Sequence, residues 1–142
     1  MEILLALIGV GLLVNLFSGD DDGGGSSSGG DGAGADTPDP TEEGTDAPDL
    51  LEGTNFDDVI FGRGGDDTIT GEIGNDYLDG NAGADFLLGG VGDDSLYGGA
   101  DNDRLFGDDG DDFLRGGANA DFLDGGADDD SLEGAKGTDT LV

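Results

Sequence analysis

From residue 53 onward an aliphatic side chain recurs every nine positions: Ile60, Ile69, Leu78, Leu87, Leu96, Leu105, Leu114, Leu123, Leu132 and Leu141. Each stands between two neighbours free to be polar, the period-two alternation of a half-buried strand compressed into three residues. The remaining six positions read as a turn. The first is Gly in every copy: Gly53, Gly62, Gly71, Gly80, Gly89, Gly98, Gly107, Gly116, Gly125 and Gly134. The sixth is Asp in every copy: Asp58, Asp67, Asp76, Asp85, Asp94, Asp103, Asp112, Asp121, Asp130 and Asp139. The fourth is Gly65, Gly74, Gly83, Gly92, Gly110 and Gly137, with Asp101, Asn119 and Asp128 in three other copies and Phe56 in the first. Gly, Asn and Asp tolerate positive φ, so nine of the ten copies suit the same tight turn, and Phe56 does not.

Ten consecutive nonapeptides therefore fill residues 53–142. A strand of three residues does not stand alone, so the units must stack. Two units per coil give a flattened spiral with a parallel sheet on each side. Ten units then make five coils, an all-β roll about 24 Å long at the usual inter-strand spacing.

Two segments of different character precede the repeats. Ile3 to Phe17 is apolar over 15 residues, broken only by Asn15. As a helix it would span about 22 Å, short of a full bilayer crossing but within what membrane thinning accommodates. Residues 1–17 thus read as a short apolar helix, with membrane insertion as an anchor and a signal-like role both open. Against a signal peptide stand the absence of Lys or Arg before the apolar run and of an A-x-A-like cleavage site. Residues 18–52 hold Asp20, Asp21 and Asp22, runs of Gly and Ser, all three prolines and no aromatic residue, the composition of a disordered acidic linker.

Composition narrows the chemistry. The chain has 142 residues, 35 of them acidic and 4 basic, for a formal net charge of -31, and contains no Cys, His or Trp. There is no thiolate site, no disulfide framework and no histidine base or zinc ligand. The charge repels nucleic acid and attracts cations. Stacking brings the position-six carboxylates of successive coils close together, each neighbouring pair repelling by about 1 kcal/mol in water and about 3.5 kcal/mol at an effective dielectric of 20. One aliphatic side chain per nine residues gives about 1.5–3 kcal/mol, against about 1–2 kcal/mol for ordering each residue, and cannot offset that repulsion.

A dication between coils reverses its sign. The candidate ligands are the ten position-six carboxylates and the backbone carbonyls of the position-one and position-four glycines, Gly53 apart. An all-oxygen, flexible, carbonyl-rich set favours Ca2+ over Mg2+ and over zinc. With each site shared between one unit and the next but one, ten units provide 10 - 2 = 8 complete calcium sites at most, and those using the first turn suffer from Phe56.

The nonapeptide GGVGDDSLY at 89–97 and its neighbours resemble the RTX, or hemolysin-type, calcium-binding repeat GGxGxDxUx. The resemblance spans 90 of the 142 residues. It implies a right-handed parallel β-roll, calcium held in the turns by the position-six Asp and by backbone carbonyls, folding on calcium binding, and export from a bacterial cell. At position two Arg63, Glu72, Asn81, Asp108 and Ala135 replace the consensus Gly, so affinities should differ between sites.

Sites of millimolar class fill outside the cell and stay empty in cytosol. The expected role is a calcium-stabilised structural or binding module, extracellular or at the cell surface, without catalysis. Two alternatives stay open: the calcium-binding tail of a type I-secreted protein whose effector part is absent here, and a disordered acidic calcium buffer. Outward positions on alternate units carry Phe86, Leu88, Arg104, Phe106 and Phe122. They suit either self-association through an aromatic sheet face or plain strand packing.

Overall fold

The structure is a computed structural model and describes residues 42–142. The apolar segment Ile3 to Phe17 and most of the expected linker lie outside the described residues. Twelve strands follow one another: β1 (Glu42–Glu43), β2 (Leu50–Glu52), β3 (Val59–Phe61), β4 (Thr68–Ile73), β5 (Tyr77–Ala82), β6 (Phe86–Val91), β7 (Ser95–Ala100), β8 (Arg104–Asp109), β9 (Phe113–Ala118), β10 (Phe122–Ala127), β11 (Ser131–Lys136) and β12 (Thr140–Leu141). Odd-numbered strands form one six-stranded sheet, in the order β1-β3-β5-β7-β9-β11, and even-numbered strands form the other. Every pairing is parallel and joins residues 18 apart, such as Leu87 to Leu105 and Leu96 to Leu114. Each coil therefore contains two nonapeptides, and the chain alternates between the sheets at every unit.

The position-eight side chains point between the sheets. Leu51, Ile60, Ile69, Leu78, Leu87, Leu96, Leu105, Leu114 and Leu123 are buried and form a single core, against which Leu132 packs partly buried. This core is one residue wide per unit, so adding or removing units changes its length and not its cross-section.

Three expectations are corrected. The roll has about six turns rather than five, because Gly44 to Glu52 repeats the pattern with Gly44 at position one, Asp49 at position six and Leu51 at position eight. Residues 42–52 thus belong to the roll through β1 and β2, and the linker expected over 18–52 does not reach that far. Strands β4 to β11 are six residues long rather than three, because positions one to three of the following unit stay in the parallel ladder. The true turn is only positions four to six.

The turns are held by side-chain ladders as well as by backbone. Position two, which pattern alone leaves unmarked, adopts positive φ in nine units, with values from 67° at Asn81 to 121° at Gly90. Position four does the same in the nine units expected to, and Phe56 does not. On the outer faces aromatic side chains stack in steps, Phe61, Tyr77, Tyr97 and Phe113 on the odd sheet with centroids 5.1–5.8 Å apart. On the even sheet Phe86, Phe106 and Phe122 stack at 5.3 and 5.6 Å. Among the described residues no helix is long and apolar enough to cross a membrane.

Candidate metal centre

The position-six Asp follows the turn directly, and parallel stacking aligns it with the Asp 18 residues away. Its Oδ1 accepts a hydrogen bond from the backbone N–H of the position-six residue one coil earlier. Asp76 N–H donates to Asp94 Oδ1 at 2.8 Å, Asp85 N–H to Asp103 Oδ1 at 2.9 Å, and Asp94 N–H to Asp112 Oδ1 at 2.8 Å. The ladder runs on each side of the roll, from Asp49 to Asp139 on one and from Asp58 to Asp130 on the other.

The second oxygen has a different fate. In Asp67, Asp76, Asp85, Asp94, Asp103, Asp112 and Asp121 the Oδ2 atom is buried and has no hydrogen-bond partner. These residues are at most 3% exposed, so bulk solvent does not reach the orphaned oxygen. A buried carboxylate oxygen without a partner is costly, and seven in one small domain call for a compensating charge.

What lies beside each Oδ2 is a position-one glycine and, in six of the seven, a carbonyl oxygen of the coil beyond. A Cβ built on Gly71 would stand within 3.0 Å of both Asp76 Oδ2 and the Gly89 carbonyl oxygen, and one on Gly89 would meet Asp94 Oδ2 and the Gly107 oxygen in the same way. Gly62, Gly80, Gly98 and Gly107 repeat this pattern. Position one is glycine because its missing side chain leaves a cradle between its own unit's Asp and the carbonyl of the coil beyond. Position-four carbonyls stack too: Gly65, Gly74, Gly92 and Asn119 each turn their oxygen toward the position-four glycine 18 residues on.

Burial is the first cause that pushes these carboxyls above the ordinary range, the Asp67 carboxyl to about 6 and those of Asp94 and Asp103 to about 7. The backbone N–H at Oδ1 works in the opposite direction, and neighbouring carboxylates add a smaller upward push. Asp76, Asp85, Asp112 and Asp121 are raised for the same leading reason. The expectation that mutual repulsion dominates is thereby corrected: loss of solvation outranks it.

The ten position-six residues do not form one class. Seven carry the orphaned oxygen, Asp58 is buried but its Oδ2 has partners, and Asp130 and Asp139 are only partly buried. Among the described residues no three acidic side chains gather as a metal cluster, so any ion here would draw most of its oxygens from the backbone. The donor set fits a hard, flexible cation on both counts: orphaned anionic oxygens and carbonyls that only glycine lets approach.

Position five escaped the sequence reading. Its Asp and Asn side chains accept backbone N–H groups one coil later, as in Asn75 N–H to Asp57 Oδ1 at 2.8 Å, Ala84 N–H to Asp66 Oδ1 at 3.0 Å and Asp129 N–H to Asp111 Oδ1 at 2.9 Å. The signal was available, since Asp57, Asp66, Asn75, Asp93, Asn102, Asp111 and Asp129 all occupy that column. Thr45 and Thr54 were missed as well, and both bind a position-six carboxylate.

No curated protein and no solved structure matches the chain. The family model for the RTX calcium-binding nonapeptide repeat, built on four copies, matches residues 43–78, 79–114 and 106–141. With the repeat period, the orphaned carboxylate oxygens and the glycine cradles all in register with that match, the chain belongs to the family of RTX calcium-binding nonapeptide repeats.

Proposed function

We propose that this chain is a calcium-gated structural or binding module that works outside the cell, and that it carries no catalytic site. The observation that carries the reading is the set of seven buried Oδ2 atoms without partners, each beside a position-one glycine. Calcium at each would be held by the Asp and by the carbonyls around it, giving seven ions on Asp67, Asp76, Asp85, Asp94, Asp103, Asp112 and Asp121. RTX repeats occur in secreted proteins, and carbonyl-rich sites of the extracellular class fill only where calcium is near millimolar. Both facts support a role outside the cell. Stacking also makes loading cooperative, because one ion orders the turn that supplies carbonyls to the next.

The test is a calcium titration of the full chain in chelator-treated buffer, followed by far-UV circular dichroism. A sigmoidal gain of β signal, reversed by chelator, is the expected outcome. A spectrum without β signal at every calcium concentration would leave a disordered acidic buffer as the better description. A full β signal in chelator would remove the calcium gate altogether.

A further inference from the structure

The first turn on each side of the roll is built differently from those that follow. At Asp49, Oδ2 accepts the Thr45 backbone N–H at 2.6 Å and the Thr45 hydroxyl at 2.8 Å. At Asp58 the same oxygen accepts the Thr54 N–H at 2.6 Å and the Thr54 hydroxyl at 3.2 Å. Each hydroxyl oxygen also accepts a backbone N–H two residues on, from Ala47 at 3.2 Å and from Phe56 at 3.3 Å. The atom orphaned in the next seven turns is here satisfied by the chain's own donors.

The backbone explains the difference. Positions two and four have positive φ in all nine units from Arg63 to Gly137, and in neither of the first two units. Without the left-handed residue at position two, the Thr N–H faces the carboxylate. Without a left-handed residue at position four, Ala47 and Phe56 fit where every later unit has Gly, Asp or Asn.

We propose that Thr45 and Thr54 stand in for the cation on Asp49 and Asp58, so that the first two turns take no calcium and the ions begin at Asp67. This rests on the calcium reading above and deepens it by assigning which turns load. The roll then starts from a cation-independent coil, on which the calcium-dependent turns build.

The test is bound calcium per chain, by equilibrium dialysis of the full-length protein at saturation. The double variant Thr54→Gly with Phe56→Gly turns residues 53–61 into GGNGDDVIF, the pattern of GGVGDDSLY at 89–97. It should bind one more ion than the parent, with undiminished β signal. An unchanged count in a folded variant overturns the proposal. If that variant does not fold, Thr54→Val decides: it keeps the amide donor and deletes the hydroxyl, and should lower Tm in saturating calcium by about 4–8 °C with no change in bound calcium. An unshifted Tm, or a change in ion count, overturns the proposal. A parent chain that binds no calcium at all would instead defeat the calcium reading beneath it.

Discussion

The smallest unit of this design is one carboxylate with two unlike oxygens. Oδ1 is spent on the backbone of the coil before, and Oδ2 is buried without a partner in seven residues. Asp94→Asn separates the two roles, since an amide oxygen still accepts the Asp76 N–H while the charge is gone. In saturating calcium the variant should lose one ion and about 1–3 kcal/mol of stability, the range for unmaking a buried charged contact. In chelator it should show no less β signal than the parent, and calorimetry in calcium with circular dichroism in chelator checks the two signs. Acidity should act similarly on the chelated parent. The Asp94 and Asp103 carboxyls titrate at about 7 in the folded chain against 3.8 for the free side chain, so between those values the folded state holds more protons than the unfolded. Stability is then fully present below the unfolded value and is lost as pH rises through the folded one. Far-UV circular dichroism in chelator should show β signal at about pH 4 that is lost as pH rises to about 7. A flat or rising profile would mean that burial is not what raises these groups.

At the scale of the turn and strand, glycine is needed for two distinct reasons that the sequence does not distinguish. Gly71 has no positive φ and is glycine for space, since a Cβ there would press on Asp76 Oδ2 and the Gly89 carbonyl. Gly71→Ala should therefore weaken the Asp76 turn by about 1–3 kcal/mol, the usual cost of overpacking, and remove one bound calcium. Dialysis against calcium together with a melt reads both effects. Position four was legible because Gly, Asn and Asp are the residues that left-handed backbone selects, and Leu at position eight was legible from burial alone. Position two was not legible, since Arg63 at φ 75° and Glu72 at φ 80° are poor left-handed residues, held there by neighbouring coils rather than by their own preference. The first unit was hidden for a related reason: Thr45, Ala47 and Pro48 fill the turn where glycines would have announced it. Strand length was hidden because glycine carries no strand preference, and only the parallel ladder keeps Gly89 and Gly90 within β6.

For the molecule as a whole, the question is whether its charge or its buried oxygens create the need for calcium. A formal charge of -31 on 142 residues opposes compaction by self-repulsion, and that repulsion reaches across the roll. Salt abolishes it, because at about 1 M the screening length falls to about 3 Å. The buried Oδ2 atoms are another matter. They are sealed from solvent, so screening does not reach them, and only a cation small enough to enter the glycine cradle, or a proton, supplies what they lack. The two causes therefore part company in tetramethylammonium chloride, whose cation screens charge but is too large for a space where even one methyl group would clash. In chelator with about 1 M of this salt the full chain should remain without its β signal, and added calcium should restore it. Recovery of the roll by the bulky salt alone would make long-range repulsion the obstacle to folding and reduce the turns to incidental binders. Failure of the bulky salt with success of calcium assigns the gate to seven atoms rather than to thirty-one charges.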